Sequence, residues 1–194
     1  MNLNQLAAII LAYTCSLCQA NAANKIEFDL KQGTGSVEFH ATGHPSALKI
    51  VGKGEKAVGH FVLDGDTVSG DSSFHLASLD TFNETRNHHM KEKYLEVDKF
   101  PEAKLTLGKL KLPKMLIQNV SLKDVPFEGK LSLHGVEKPV KGTVNIERKG
   151  DQLTVTAQFG LKILDFGITL PTFLGITMAD DVQVTVANVV AFPK

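Results

Sequence analysis

Leu153-Thr154-Val155-Thr156-Ala157-Gln158-Phe159 carries an apolar residue at every odd position and a polar one at every even position. Successive side chains of an extended chain point to opposite faces, so this stretch reads as a strand with one buried and one wet face. The same period recurs on both sides of it. Val125, Phe127, Gly129, Leu131 and Leu133 alternate with Glu128, Lys130, Ser132 and His134. Val140, Gly142, Val144 and Ile146 alternate with Lys141, Thr143, Asn145 and Glu147. Ala103, Leu105 and Leu107 alternate with Lys104 and Thr106, and Val182, Val184 and Val186 with Gln183 and Thr185.

Toward the N-terminus the alternation is noisier, with strands expected near 26–30, 35–42, 47–52, 57–63 and 72–79. Asp64-Gly65 is a hairpin signal between two of them. The stretch 113–119 reads as a hairpin loop or small insertion. So many antiparallel strands, each apolar on one face, must stack or close, and closure also removes exposed edges. The expectation is an all-β barrel. One segment breaks the period. Thr81-Phe82-Asn83-Glu84 resembles a capping box with Thr81 as N-cap, which predicts a helix reaching Tyr94 or Leu95. Arg86, Met90 and Tyr94 would share one face of it, as a lid or plug for a barrel end.

With 194 residues, 43% of them hydrophobic, the chain makes one domain with a sizeable core. Lys+Arg and Asp+Glu are both 21. The balanced charge lacks the basic excess of a nucleic-acid binder, and no basic amphipathic helix marks a membrane surface. Residues 1–24 hold no Asp, Glu, Lys or Arg. A short apolar run at 6–13 precedes Ala20-Asn21-Ala22, an A-x-A cleavage pattern. This predicts a signal peptide over 1–22, cleaved after Ala22, and a periplasmic or secreted domain over 23–194 with no integral membrane span. Cys15 and Cys18 fall in the discarded segment, so the mature chain has no thiol, disulfide or thiolate metal site.

Little marks a reaction centre. His88 and His89 are adjacent, so on a helix their rings diverge by about 100°. Neither H-E-x-x-H nor G-x-S-x-G occurs, and Asp165-Phe166-Gly167 lacks every other kinase motif. No metal, no cofactor and no enzymatic activity are expected. Phe39, Phe61, Phe74, Phe159 and Phe166 either line a ligand tunnel or fill the barrel themselves.

Four ordered motifs narrow this reading: Ser36-Val37-Glu38-Phe39; Arg86-Asn87-His88-His89-Met90 with Tyr94 to Pro101; Leu131 to Val140 around Gly135-Val136-Glu137-Lys138-Pro139; and Asp165-Phe166-Gly167-Ile168 with Asp180-Asp181-Val182-Gln183-Val184. In these the chain resembles the YceI-like family of exported, lipocalin-like polyisoprenoid-binding proteins. Asn87, where an acidic residue is common, and Gly35, where a His is common, depart from the pattern and bear on the ligand rather than the fold.

The resemblance implies an eight-stranded antiparallel lipocalin-like barrel with one helix between strand sets. Its apolar interior would carry an isoprenoid lipid, a polyprenyl phosphate or the tail of a quinone. The tunnel residues implied are Phe39, Phe61, Phe74, Leu76, Met90, Leu105, Leu107, Leu131, Leu133, Phe159, Phe166 and Ile168. Arg86, His88, His89 and Tyr94 are head-group candidates, with Arg86 alternatively pairing a carboxylate to hold the helix on the rim. Two other readings stay open: a packed barrel acting as an interaction module, and a hydrolase of lipid-linked substrates built on the head-group candidates. A homodimer is equally open.

Overall fold

The computed structural model describes residues 25–44, 48–116, 119–173 and 175–193. The expected signal peptide lies outside them. Eleven strands form one antiparallel sheet: β1 (Lys25–Asp29), β2 (Thr34–His44), β3 (Lys49–Gly54), β4 (Val58–Asp64), β5 (Thr67–His75), β6 (Glu102–Lys111), β7 (Val120–Leu133), β8 (Val136–Lys149), β9 (Gln152–Lys162), β10 (Thr172–Phe173) and β11 (Ile176–Ala191). Their order is β1-β4-β5-β6-β7-β8-β9-β11-β2-β3, with β10 paired to β11 as a short flap.

The all-β expectation holds, and the strand count differs from eight for a definable reason. Eight strands have seven residues or more; β1, β3 and β10, of five, six and two residues, are short additions. Bulges explain why several strands run longer than their alternating stretches. Asp124, at φ 52°, sits in a bulge of β7 and donates its N–H to Asn145 Oδ1 at 2.8 Å. Leu122 and Val125 therefore both face inward, although three apart. A second bulge, between Met178 and Val182, hides the first turn of β11 from a period-two reading. The Asp64-Gly65 signal closes a two-residue hairpin, with Asp64 opposite Thr67 and Gly65 at φ 64°.

The sheet curls until its far strand, β3, meets the chain that leaves β5. Lys53 and Asp80 exchange both backbone hydrogen bonds, and Glu55 N–H donates to Ser78 Oγ. Two glycines allow the close approach. A Cβ at Gly54 would lie 2.6 Å from the Phe74 ring, and one at Gly52 would overlap the Phe39 ring. Two phenyls thus lie flat where side chains of β3 would stand.

The predicted helix is present but shorter and displaced. Helix α1 covers Glu84–His88, and its N-cap is Asn83, whose Oδ1 accepts from Arg86 N–H at 2.9 Å. Thr81 does not cap it: at 2% exposure its hydroxyl donates to Asn87 Oδ1 and accepts from Arg86 Nε–H. Beyond His88 the chain widens into a π-helical turn, His89–Tyr94, where Leu95 N–H reaches Met90 O at 2.8 Å. Such turns are uncommon and concentrate at functional sites. Among the described residues, no helix is long and apolar enough to cross a membrane.

The interior has two unlike halves. In one, Phe28, Leu63, Leu110, Leu112, Leu122, Leu153, Val190 and Phe192 interlock, and Phe28 meets Phe192 edge to face at 5.3 Å. The connection from β6 to its antiparallel partner β7 fits the hairpin-loop expectation, and within it Leu112 and Leu116 are buried and close this end. Arg148 holds it there, donating to Leu116 O at 2.6 Å while stacking on Phe192. The other half is hollow.

Candidate functional site

The hollow half encloses a cavity of about 270 Å³. Apolar cavities of about 150 Å³ already stay dry and take up small hydrocarbons. The wall comes from inward positions at one end of six of the eight long strands: Val37 and Phe39 of β2, Phe74 of β5, Ala103 and Leu105 of β6, Leu131 and Leu133 of β7, Phe159 and Leu161 of β9, and Val182, Val184 and Val186 of β11. The roof comes from Leu76, Leu79, Thr81, Arg86, His89, Met90, Tyr94 and Leu95, together with Ile163, Ile168, Pro171 and Thr172. Among the described residues no carboxylate lines it.

Of the tunnel residues named from the sequence, Phe39, Phe74, Leu76, Met90, Leu105, Leu131, Leu133, Phe159 and Ile168 reach the cavity. Three do not. Phe61 and Leu107 both lie opposite Gly70, on its two sides, one level below the cavity wall. Phe166 is buried, but in the 3-10 turn Ile163–Phe166, where its carbonyl accepts from His134 Nδ1 at 3.2 Å. Gly167, at φ 72°, ends that turn, so Asp165-Phe166-Gly167 is a structural corner.

The floor is aromatic. The Phe127 and Phe159 rings meet edge to face at 6.3 Å, and only Phe159 lines the cavity. Gly142 lies between them in register; a Cβ there would stand 2.8 Å from each residue. One polar group faces inward below Val186: Asn188, buried, whose Oδ1 has no hydrogen-bond partner among the described residues.

The head-group candidates separate. His88 points to solvent and pairs with Glu92 at 2.8 Å. Arg86, His89 and Tyr94 reach the cavity. Arg86 holds the rim through a threonine rather than a carboxylate: Nε–H donates to Thr81 Oγ1 at 2.8 Å and Nη2–H to Thr81 O at 2.5 Å. The Tyr94 hydroxyl accepts from Thr172 N–H at 3.3 Å, tying the π-helical turn to the β10 flap. Asp80 anchors the approach to the helix: Oδ1 accepts from Asn87 Nδ2 and from Phe82 N–H, both at 2.7 Å. These bonds, the Asn87 side chain first, hold its carboxyl below the usual carboxylate range.

His134 escapes a sequence reading that treats it as solvated. Its side chain is 13% exposed, with Nε2 2.8 Å from Glu96 Oε2 and the ring against Phe100 at 4.5 Å. It links the β7–β8 hairpin to the end of the π-helical turn. The usable signal was His134-Gly135 between two apolar runs, a two-residue hairpin whose φ values are 52° and 76°. Among the wall residues missed, Val182, Val184 and Val186 were legible as an inward-facing row but not as facing a void, and Val37, Ala103 and Leu161 were missed as well. His40, His60 and His75 sit on the outer face beside Glu38, Glu27 and Glu102. Among the described residues no cluster of three or more His, Cys, Asp or Glu could hold a metal ion.

A curled antiparallel sheet around an apolar, roofed cavity defines a lipocalin-like binding barrel. The chain belongs to the YceI-like family: the YceI-like domain model matches residues 27–190. A UPF0312 protein of Pseudomonas putida strain W619 is 28% identical, over 90% of this chain and 93% of that one. Among solved structures, a polyisoprenoid binding domain from Saccharophagus degradans superposes with a TM-score of 0.65 at 14% identity, covering 87% of this chain and 98% of that one. BcnA of Burkholderia cenocepacia gives 0.65 at 18% identity, covering 84% and 98%. These structures share the fold.

Proposed function

We propose that this protein binds a long-chain isoprenoid lipid, a polyprenyl phosphate or the tail of a quinone, in the hollow half of its barrel. It acts as a periplasmic carrier or sequestering protein once residues 1–22 are removed, and it is not an enzyme. The observation that carries this reading is the roofed apolar cavity, walled almost wholly by hydrocarbon side chains. Each buried CH₂ of a tail contributes about 0.8 kcal/mol, so a chain of several units binds without polar contacts. The polyisoprenoid binding domain among the fold's neighbours supports the same ligand class. The cavity favours a carrier over a packed interaction module. The lining favours a carrier over a hydrolase, because the described residues that form it include no Asp, Glu or Cys to serve as a catalytic acid or nucleophile inside the cavity.

The test is native mass spectrometry with organic extraction of protein purified from its own host. A stoichiometric isoprenoid is expected, and it should be lost on Leu133→Glu or Phe159→Glu when circular dichroism shows the strands intact. A bare apo mass, with no uptake of added quinones or polyprenols, would sink the carrier reading.

A further inference from the structure

Among the described residues, Phe82 is the one bulky residue that pays for its position twice. Its φ is 60°, a left-handed conformation that glycine adopts freely and a phenylalanine does not. Its side chain is 75% exposed, the most of any large hydrophobic residue among those described. The conformation is secured from below: Asp80 Oδ1 takes the Phe82 N–H, Asn87 braces that carboxylate, and Lys53 pairs with the Asp80 backbone. The preceding residue, Thr81, lines the cavity roof, so Phe82 stands on the outside of the roof. Leu164, 52% exposed, projects from the same end, beside the lining residue Ile163.

We propose that Phe82, assisted by Leu164, docks the hollow end of the barrel onto a lipid bilayer, so that the cavity exchanges its ligand directly with the membrane. This rests on the carrier reading for its purpose but on separate residues for its mechanism. Strain kept in an exposed aromatic is characteristic of a site where the ring has a use. Two isolated apolar side chains are too little for a stable protein interface, which buries upward of about 1,000 Å². They suit insertion into the boundary between head groups and acyl chains. Charge does not steer the contact. Residues 80–100 hold the acids Asp80, Glu84, Glu92, Glu96 and Asp98 against the bases Arg86, Lys91, Lys93 and Lys99. The bilayer required is therefore a neutral one, and the contact is insensitive to salt.

The chain contains no tryptophan, so Phe82→Trp and Met115→Trp each install a single reporter. Met115, 59% exposed, lies at the packed end. With phosphatidylcholine vesicles, the indole of Phe82→Trp should shift to shorter wavelength and be quenched by brominated acyl chains, while that of Met115→Trp should not. Phe82→Gly should slow uptake of geranylgeraniol from vesicles by about tenfold or more, the partitioning worth of a buried phenyl. The same variant should take up geranylgeraniol diluted from ethanol as the parent does, with an unchanged or higher thermal midpoint. An unshifted indole at position 82, or vesicle uptake by Phe82→Gly as fast as the parent's, overturns the proposal. So does a shift that grows with protein concentration without vesicles, which would mean contact with a second copy. If the indole shifts with vesicles but neither parent nor variant takes up the dispersed alcohol, docking stands and the carrier reading falls.

Discussion

The two halves of this barrel use the same strands and differ in what fills them. In the packed half, leucines and Phe28 from β1, β4, β6, β7 and β9 cluster with Val190 of β11 and with Phe192 just beyond it, and Leu112 and Leu116 plug the end. In the hollow half, the walls are equally apolar but leave a cavity of about 270 Å³ between them, and the chain supplies a roof instead of a plug. The difference teaches that an inward apolar residue is not yet a core residue. It becomes one only if something occupies the space opposite.

That contrast can be broken or sharpened by substitution. Phe127→Ala removes the ring that backs the floor and joins the halves. It should cost about 3–5 kcal/mol in denaturant unfolding and lengthen the isoprenoid chain the protein accepts, read by extraction and mass spectrometry. A variant that loses stability without any change in chain preference would show that the floor does not set cavity length. Leu112→Ala, at a residue only 2% exposed, should cost about 2–5 kcal/mol. Leu133→Ala should fall at or below the low end of that range in ligand-free protein, since one side of Leu133 faces the void. Equal losses at the two leucines would erase the contrast.

Smaller effects test the roof and the boundary. Thr81→Val strips the hydroxyl from a buried position where Arg86 and Asn87 meet, and should cost about 1–3 kcal/mol while loosening the roof in hydrogen exchange. Asn188→Val removes an acceptor with no partner and should be neutral or stabilising by about 1 kcal/mol, measured by urea midpoint. The smallest effect is acidic. Asp80 has its carboxyl lowered in the folded chain, first by Asn87 and then by the Phe82 N–H. Its contribution is therefore complete above the unfolded value near about 3.9 and fades as pH falls through the lower folded value. The 80–87 segment should exchange faster at that acid edge in the parent, and this pH dependence should vanish in Asp80→Asn.

Much of the fold was legible in the alternation. The rows at 125–133, 140–147, 153–159 and 182–186 each have one buried and one wet face, and all four are strands. What alternation missed was where it is interrupted: the bulges at Asp124 and after Met178 keep a strand going while resetting its phase. The helix signal was real but shifted, because Thr81, read as the cap, is buried with its hydroxyl taken by Asn87 and Arg86, and Asn83 caps the helix instead. For the site, nine of the twelve expected apolar residues reach the cavity; Phe61, Leu107 and Phe166 face the same interior or turn at the wrong level. Level along a strand is set by register with neighbours distant in sequence, which no local pattern encodes.

By itself, then, the sequence determined an all-β chain with one inward apolar face, one helical interruption and no thiol beyond residue 18, because side-chain period and residue chemistry are local. Only the tertiary structure decided that half the barrel is filled and half is empty, that Phe127 and Phe159 make the floor, and that Phe82 stands outside the roof. Those facts depend on which side chains meet across the axis, and that is fixed by how eleven strands register and curl together.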